Sequence, residues 1–175
     1  MTNDPMNNDL MQKLPFNFLR MRGFLCFWLA LAAMSCQRQA AQQISQPVKK
    51  IISTPHAPAA IGPYNQAIVA NGFVFISGQI AIDPATNQVI ANASIEEETH
   101  RVLKNLGAIL EAAGSSYQDV VKASVFVKDM SHFSRINAVY AEYFKPEFAP
   151  ARETVEVSNL PKYVNIEISV IAVVK

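Results

Sequence analysis

The sequence predicts an α+β domain in which a mostly antiparallel sheet carries two helices on one face. Three observations predict this fold class. Short runs of β-branched and aromatic residues occur at both ends of the domain, two segments with apolar residues at helical spacing lie between them, and turn residues separate the runs. In chain order, these segments predict the elements β-β-α-β-α-β-β.

The first two strands form a predicted β-hairpin. Residues 57–63 are too rich in proline for a helix and form an extended lead-in, after which 64–69 form a strand. Asn71-Gly72 is a strong signal for a two-residue hairpin turn, because both residues tolerate a positive φ. The return strand covers 73–77 and ends at Gly78-Gln79.

Each predicted helix has a start signal, an apolar stripe and a stop signal. Ser94 caps the first helix, with glutamates in the first turn where negative charge suits the helix dipole, and Gly114 ends it. Ser131 caps the second helix and Pro146 stops it, and the strand between the helices covers 120–128. The stripes are Val102, Leu103, Leu106, Ile109 and Leu110 in the first helix, and Phe133, Ile136, Val139, Tyr140, Tyr143 and Phe144 in the second.

The last two strands form a second predicted hairpin, separated by a polar, proline-containing break at 158–162. Pairing Val155 with Ile166 or Ile168 keeps the valines on the apolar face. A slip by one residue would turn them outward and set two glutamates opposite each other. The first register is therefore the predicted one.

The polar face of this hairpin carries an arginine and a glutamate. In the predicted register Thr154 lies near Glu167, and Arg152 lies diagonally across from Glu167 on the same face. Two interpretations fit: an exposed cross-strand ion pair, which contributes little stability, or a site. This sheet face is exposed unless a homo-oligomer buries it and forms clefts at the seams.

Composition limits the chemistry of the domain. The chain has 175 residues, half of them apolar, and a formal charge of +1, so no polyanion partner is implied. No basic run is interleaved with aromatic residues, which argues against nucleic acid as the main partner. Both cysteines, Cys26 and Cys36, precede the domain, and His56, His100 and His132 are scattered. No metal site, disulfide framework or thiolate nucleophile is therefore predicted in the domain.

Residues 1–36 predict a signal peptide with a lipobox-like end. Arg20 and Arg22 precede an apolar run of about a dozen residues, which is short for a membrane span. Ala33-Met34-Ser35-Cys36 follows directly and resembles the bacterial lipobox, so Cys36 is the predicted lipidation site. An ordinary cleaved signal and an uncleaved anchor are the alternatives.

The rest of the chain divides into a linker and the domain. Residues 37–50 are rich in Gln, Ala and Ser and predict a flexible tether, and 51–175 form the domain. This organisation predicts an exported lipoprotein of the bacterial cell envelope, held to a membrane on the periplasmic side by its N-terminal lipid anchor.

Short motifs along the whole domain resemble those of one known family. They are Ala59-Ala60-Ile61-Gly62-Pro63-Tyr64, Phe75-Ile76-Ser77-Gly78-Gln79, Glu111-Ala112-Ala113-Gly114, Val125-Phe126-Val127-Lys128-Asp129, Pro150-Ala151-Arg152, Leu160-Pro161 and Ile166-Glu167-Ile168. In this order, over 52–174, they resemble the RidA family of YjgF-type enamine/imine deaminases. The resemblance implies a YjgF-like (chorismate mutase-like) fold and a homotrimer with active sites in the clefts between subunits.

The resemblance also implies an activity. Reactive 2-imino acids of the 2-iminobutanoate/2-iminopropanoate type, and their enamine tautomers, would be hydrolysed to 2-keto acids and ammonia without a cofactor. Arg152 would bind the substrate carboxylate, and Glu167 would hold and activate the attacking water. Tyr64 would line the cleft, and Ser77 and Gly78 would supply a polar rim and a close backbone approach.

Two further contacts are implied in the same way. Thr154 would offer its backbone to the substrate at a position where many deaminating members have cysteine, a departure that bears on substrate preference. Asn137, on the second helix, stands where the family often has asparagine and is a predicted substrate-binding residue. Structural alternatives remain open: a helix-surface or interface role for Asn137, a strand-end bulge at Gly78, a half-buried strand aromatic at Tyr64, and a polar strand edge at Ser77.

Three functions are consistent with this sequence. The first is an exported imine deaminase. The second is a non-catalytic envelope protein that binds a small 2-imino or 2-keto carboxylate in the same cleft. The third is a ribonuclease, an activity that older names in the family mention. It ranks last because the sequence has neither a histidine pair nor a basic face.

Overall fold

The computed structural model describes residues 49–175 and contains both helices and the sheet that the sequence predicts. Its elements are β1 (Lys50–Ile52), β2 (Ala67–Ala70), β3 (Phe73–Gln79), β4 (Ile82–Asp83), β5 (Gln88–Val89), α1 (Ile95–Ala112), β6 (Val120–Val127), α2 (Phe133–Tyr143), β7 (Ala151–Glu156) and β8 (Ile166–Val173). Six strands form one sheet in the order β1-β2-β3-β8-β6-β7, and β4 pairs with β5. The α+β prediction is confirmed.

The predicted β2–β3 hairpin is present. Asn71 and Gly72 have φ angles of 51° and 79°, the positive values that a tight two-residue turn requires. Ala70 pairs with Phe73 and Ala67 with Ile76, so the strand begins at Ala67 rather than at residue 64. Three strands were not predicted. The short strands β4 and β5 pair with each other, and β1 pairs antiparallel with β2 and begins at Lys50, the last residue of the predicted tether.

Helix α1 begins as the sequence predicts. The Ser94 hydroxyl accepts a hydrogen bond from Glu97 N at 3.3 Å, and Glu97 Oε2 accepts one from Ser94 N at 2.7 Å. This capping box satisfies two backbone donors that a helix start would otherwise leave unpaired. The predicted stripe is buried in the main core: Val102, Leu103, Leu106, Ile109 and Leu110.

Helix α2 begins one residue later than a Ser131 cap predicts. Ser131 does not cap it, because Asp129 captures the Ser131 N–H on its Oδ1 at 2.8 Å and folds 130–132 into a 3₁₀ turn. The α-helix follows from Phe133, with His132 at its N-cap, and ends at Tyr143, before Pro146. The stop signal was therefore correct and the start signal was not.

The predicted C-terminal hairpin is wrong. Strand β7 pairs in parallel with β6, from Lys122–Ala151 to Val127–Glu156, and β6 pairs antiparallel with β8, so β6 lies between β7 and β8. The break at 158–162 is part of a longer connection, in which Leu160 is buried in a small apolar cluster. Burial of that leucine carries the chain over the end of the sheet and away from a tight turn.

This topology places the predicted polar pair on opposite faces of the sheet. Ala123 and Val125 are buried beneath the helices, and their β7 partners are Arg152 and Thr154. Glu167 instead pairs with Phe126, whose side chain points to the other face. The prediction that Arg152 and Glu167 share one face within a chain is therefore wrong, and so is the predicted proximity of Thr154 to Glu167.

The face away from the helices carries apolar side chains that are exposed in the single chain. Phe73, Phe75 and Val173 are between 39% and 45% exposed. The same face holds a polar group in which Lys122 Nζ and Ser124 Oγ both donate to the Glu153 carboxylate. We refer to this side of the sheet as the open face.

The predicted signal peptide, its Cys36 and most of the predicted tether lie outside the described residues, and the predicted domain limits stay predictions. Between residues 49 and 175, no helix has both the length and the apolar character needed to cross a membrane.

Candidate active site

The structure divides the predicted site residues into two groups. Four of them, Tyr64, Ser77, Gly78 and Glu167, line one pocket, and we call this group the acid half-site. The other three, Arg152, Asn137 and Thr154, lie on the helix-covered face around β7 and α2, and we call this group the basic half-site.

The acid half-site borders a pocket of about 320 Å³. Besides the four predicted residues, apolar side chains from the β1–β2 connection, the β3–β4 region and the β7–β8 connection form its wall. They include Ile61, Ile80, Ile82 and Pro161. A concave site with an apolar wall and a few convergent polar groups is the usual form of a small-molecule site.

Glu167 is the ionisable group of this pocket. Its side chain is half-buried on β8, and within residues 49–175 no hydrogen-bond donor or cationic side chain pairs with its carboxylate. Burial raises the pKa of the Glu167 carboxyl above its usual value. A carboxylate with a raised pKa is a stronger base, which suits a group that takes a proton from water.

Gly78 makes room for that carboxylate. A Cβ atom at position 78 would lie 2.7 Å from Glu167 Cδ, closer than packed carbon atoms approach, so only glycine leaves the side chain where it is. The β3–β8 register also shifts between Ile76 and Gln79, which places Gly78 in a bulge. The two interpretations from the sequence are therefore compatible: the glycine is a bulge residue and also gives a close approach.

Ser77 holds the segment that carries Tyr64. The Ser77 hydroxyl donates to Asn65 O at 2.7 Å, and Ser77 N donates to Gln66 O at 3.0 Å. Tyr64 precedes β2 instead of lying in a strand, and its ring is 44% exposed at the pocket. Its hydroxyl accepts a hydrogen bond from Ile61 N at 3.2 Å, which fixes the ring at the pocket mouth.

In the basic half-site, Arg152 is held by side chains of α2. Its Nη2 donates to Asn137 Oδ1 at 2.9 Å. Its guanidinium carbon lies 4.5 Å from the centre of the Tyr140 ring and 5.9 Å from that of Phe133. No acidic side chain within residues 49–175 forms an ion pair with Arg152, so the cross-strand ion pair with Glu167 is wrong.

Tyr140 and Phe133 were predicted only as members of the apolar stripe of the second helix. A signal was present, because Phe133, Asn137 and Tyr140 recur at spacings of four and three and so share one face of a helix. That face could be linked to Arg152 only by knowing that β7 lies against α2, which the predicted hairpin had excluded.

The two half-sites of one chain do not meet. Glu167 is level with Phe126 and Val155, two strands away from β7 and three residues along it from Arg152. Strand spacing and rise then place the Arg152 and Glu167 Cα atoms roughly 14 Å apart, with side chains on opposite faces. Within residues 49–175, no three His, Cys, Asp or Glu side chains are grouped as metal ligands.

Comparison with known proteins gives the family. Residues 54–174 match the family model described as Endoribonuclease L-PSP. A RutC family protein of Synechocystis sp. is 52% identical over 124 residues, which cover 71% of this chain and 95% of that protein. A 2-iminobutanoate/2-iminopropanoate deaminase of Bos taurus is 47% identical over 130 residues, covering 74% of this chain and 93% of that protein.

Solved structures agree with these matches. The crystal structure of E. coli TdcF with bound serine superposes with a TM-score of 0.67 at 42% identity, covering 72% of this chain and 99% of that one. The E. coli YjgF gene product gives the same TM-score at 45% identity, with the same coverage. The chain therefore belongs to the Endoribonuclease L-PSP family, which includes the RutC and Rid proteins.

Proposed function

We propose that this protein hydrolyses reactive 2-imino acids, and their enamine tautomers, to 2-keto acids and ammonia. The observation that carries the proposal is the pair of half-sites. One holds an arginine that forms no ion pair among the described residues, and the other holds a half-buried glutamate with a raised pKa. The Bos taurus relative that is named 2-iminobutanoate/2-iminopropanoate deaminase, and is 47% identical to this chain, supports the choice of reaction.

Each group has a chemical task. The Arg152 guanidinium binds the substrate carboxylate, for which its planar donor fork is suited. The oxygen of a water molecule bonds to C2 of the protonated imine while Glu167 takes a proton from that water, giving a carbinolamine. Glu167 then returns the proton to nitrogen, the C–N bond breaks as the carbonyl forms, and ammonia leaves while the hydroxyl proton passes to solvent. No cofactor takes part.

The proposed catalyst is a homotrimer, in which the basic half-site of one subunit faces the acid half-site of the next. Two observations support this assembly: the half-sites of a single chain lie on opposite faces, and the open face is apolar. A contiguous apolar surface of this kind marks an interface more often than a free surface. Thr154, on the same face as Arg152, would offer its backbone to the carboxylate.

The test uses an imine made in place by an amino-acid oxidase, with the appearance of keto acid followed over time. The purified trimer should accelerate hydrolysis above the buffer rate, and Arg152→Ala should remove the acceleration. A buffer rate with the wild-type protein would contradict the proposed reaction.

A binding protein without turnover is the second candidate, and the structure of TdcF with bound serine favours it. In that case 2-keto acids would raise the melting temperature of the wild-type protein but not of Arg152→Ala, and no acceleration would be seen.

Ribonuclease activity, which the family description names, finds less support. His100 contacts Tyr143 and Glu142, and no hydrogen bond joins two histidines within the described part of the chain. RNA cleavage that persists in Arg152→Ala after further purification would favour it.

The place of action is proposed from the sequence alone: the bacterial cell envelope, with the protein anchored on the periplasmic side through a lipid on Cys36. Mass spectrometry of the mature N-terminus tests this proposal. A diacylated or triacylated Cys36 would support it, whereas a free N-terminus upstream or downstream of Cys36 would contradict lipidation.

A further inference from the structure

The guanidinium of Arg152 has three neighbours on one face of α2. Phe133, Asn137 and Tyr140 recur at helical spacing and form a cage around it, with the Tyr140 ring closest, at 4.5 Å. A cation over the face of an aromatic ring is attracted by the electron density of that face. Arg152 is therefore held by two kinds of contact from the same helix.

Tyr140 is a rigid support. It is 5% exposed, and its ring stacks on Phe144 with centres 4.4 Å apart and planes 25° apart. Phe144 in turn makes an edge contact with Tyr117, which belongs to the packing beneath α1. A ring backed by Phe144 gives the guanidinium a fixed surface to lie over.

The Tyr140 hydroxyl does not explain why the residue is there. Its oxygen is buried and has no hydrogen-bond partner within residues 49–175. A buried hydroxyl without a partner costs stability. Burial raises the pKa of Tyr140 to about 12, so the hydroxyl stays protonated near neutral pH. The contact that Tyr140 makes with Arg152 is through the ring face and not through the hydroxyl.

The contacts that α2 makes with Arg152 leave N–H donors of its guanidinium free. Asn137 accepts from one N–H group of the guanidinium, and no other hydrogen bond to the guanidinium is formed within residues 49–175. An arginine has five N–H groups, and a carboxylate needs two adjacent ones for a bidentate contact. The cage therefore fixes the direction of the fork without occupying it.

We propose that Tyr140 is a positioning residue that sets the orientation of the Arg152 guanidinium for the substrate carboxylate, with Asn137 as its second support. This inference rests on the proposed function of Arg152. It assigns Tyr140 an effect on substrate binding that exceeds its effect on the chemical step, because Tyr140 itself touches neither the water nor the imine.

The experiment compares Tyr140→Leu, which removes the ring, with Tyr140→Phe, which keeps it. Tyr140→Leu should raise KM for the imino acid, and Kd for a stable 2-keto acid measured by calorimetry, by about 3- to 30-fold, the range expected for a partly desolvated cation–π contact. Its kcat should stay within about threefold. Tyr140→Phe should match the wild type within about twofold in all three quantities.

Val139→Ala is the matched control, since Val139 is buried on the same helix and outside the cage. It should lower the melting temperature and leave KM unchanged. If Tyr140→Leu does not fold, Tyr140→Met, which fills more of the space, replaces it and carries the same expectation.

The outcomes separate the two proposals. If Arg152→Ala keeps both activity and keto acid binding, the proposed function fails. If Arg152→Ala loses them while Tyr140→Leu keeps the wild-type KM, only the positioning role is overturned. A loss in Tyr140→Phe equal to that in Tyr140→Leu would also overturn it, because the hydroxyl would then be the active part.

Discussion

Glu167 and Gly78 show how one residue sets the chemistry of its neighbour. The glutamate is half-buried because β3 bulges at a residue without a side chain, and its carboxylate occupies the space where a Cβ would be. Burial in that space raises its pKa. The position of the Glu167 carboxylate in the pocket thus depends on the absence of a methyl group at position 78 of the adjacent strand.

The raised pKa of Glu167 predicts a pH-dependent effect of Glu167→Gln on stability. The folded pKa lies above the unfolded one, so the stabilising contribution is present below the unfolded pKa and is lost as pH rises through the folded pKa. Glutamine never ionises and does not suffer this loss. The variant should therefore gain in free energy of unfolding, relative to wild type, as pH rises from about 4 to about 7.

The measurement is urea unfolding at a series of pH values and one fixed chain concentration, because trimer stability depends on concentration. If the difference in free energy of unfolding between the wild type and Glu167→Gln does not change with pH, desolvation of Glu167 does not govern its titration. In the imine assay the same variant should lose most of its activity at every pH.

Gly78→Ala should reduce imine hydrolysis with little loss of stability, because the flexible glutamate can rotate away from the new methyl group while the fold stays intact. A double-mutant cycle with Glu167→Gln measures the coupling. We expect Gly78→Ala to have no further effect on activity in the Glu167→Gln background. Two losses that simply add would mean that the glycine acts elsewhere in the pocket.

At the scale of elements, most signals contained within a few residues were correct, although the Ser131 cap was not, and the pairing between distant strands was wrong. Asn71-Gly72 and the Ser94–Glu97 capping box depend on local backbone chemistry, and both are present. The alternation in β8 was also real, whereas Val155 of β7 is exposed. That alternation could not show that β6, about thirty residues earlier, would lie between the two strands.

The consequence for the site was direct. The family resemblance identified residues that the structure places in two separate groups, the acid half-site and the basic half-site. The wrong hairpin pairing instead placed Arg152 beside Glu167 within one chain. The Tyr140 support was missed for the same reason, since a helix stripe does not say which strand it covers. Leu160, which the sequence placed in a polar break, is buried in a small apolar cluster within the longer β7–β8 connection.

Ser94→Ala tests the local signal that begins α1. The variant removes the hydroxyl that accepts from Glu97 N, and with it half of the capping box. We expect the free energy of unfolding to fall by about 1 kcal/mol, measured by urea denaturation. Ser134→Ala is the matched control, since Ser134 is exposed within α2, and it should change stability by less than about 0.5 kcal/mol. Equal effects of the two changes would contradict a capping role.

At the scale of the whole molecule, the fold separates the two half-sites of a chain, and the proposed trimer would join half-sites of neighbouring subunits. Each chain presents Arg152 near the edge strand of its sheet and Glu167 on the open face, two strands away. A cyclic oligomer brings different patches of neighbouring subunits together at every interface. Catalysis would then be a property of the assembled trimer and would be lost on dissociation.

Subunit mixing tests this division. Arg152→Ala and Glu167→Gln should each be inactive alone, but in trimers assembled from both variants some clefts receive Arg152 from one chain and Glu167 from the other. With random mixing of equal amounts, about a quarter of the clefts are intact, and activity should return to about that fraction of the wild-type value. Native mass spectrometry verifies that mixed trimers are present, and the same variants mixed without subunit exchange serve as the control.

Mixed trimers without activity would mean that both groups act within one subunit. That outcome would require a rearrangement of β7 across the roughly 14 Å that separates the two residues in the fold.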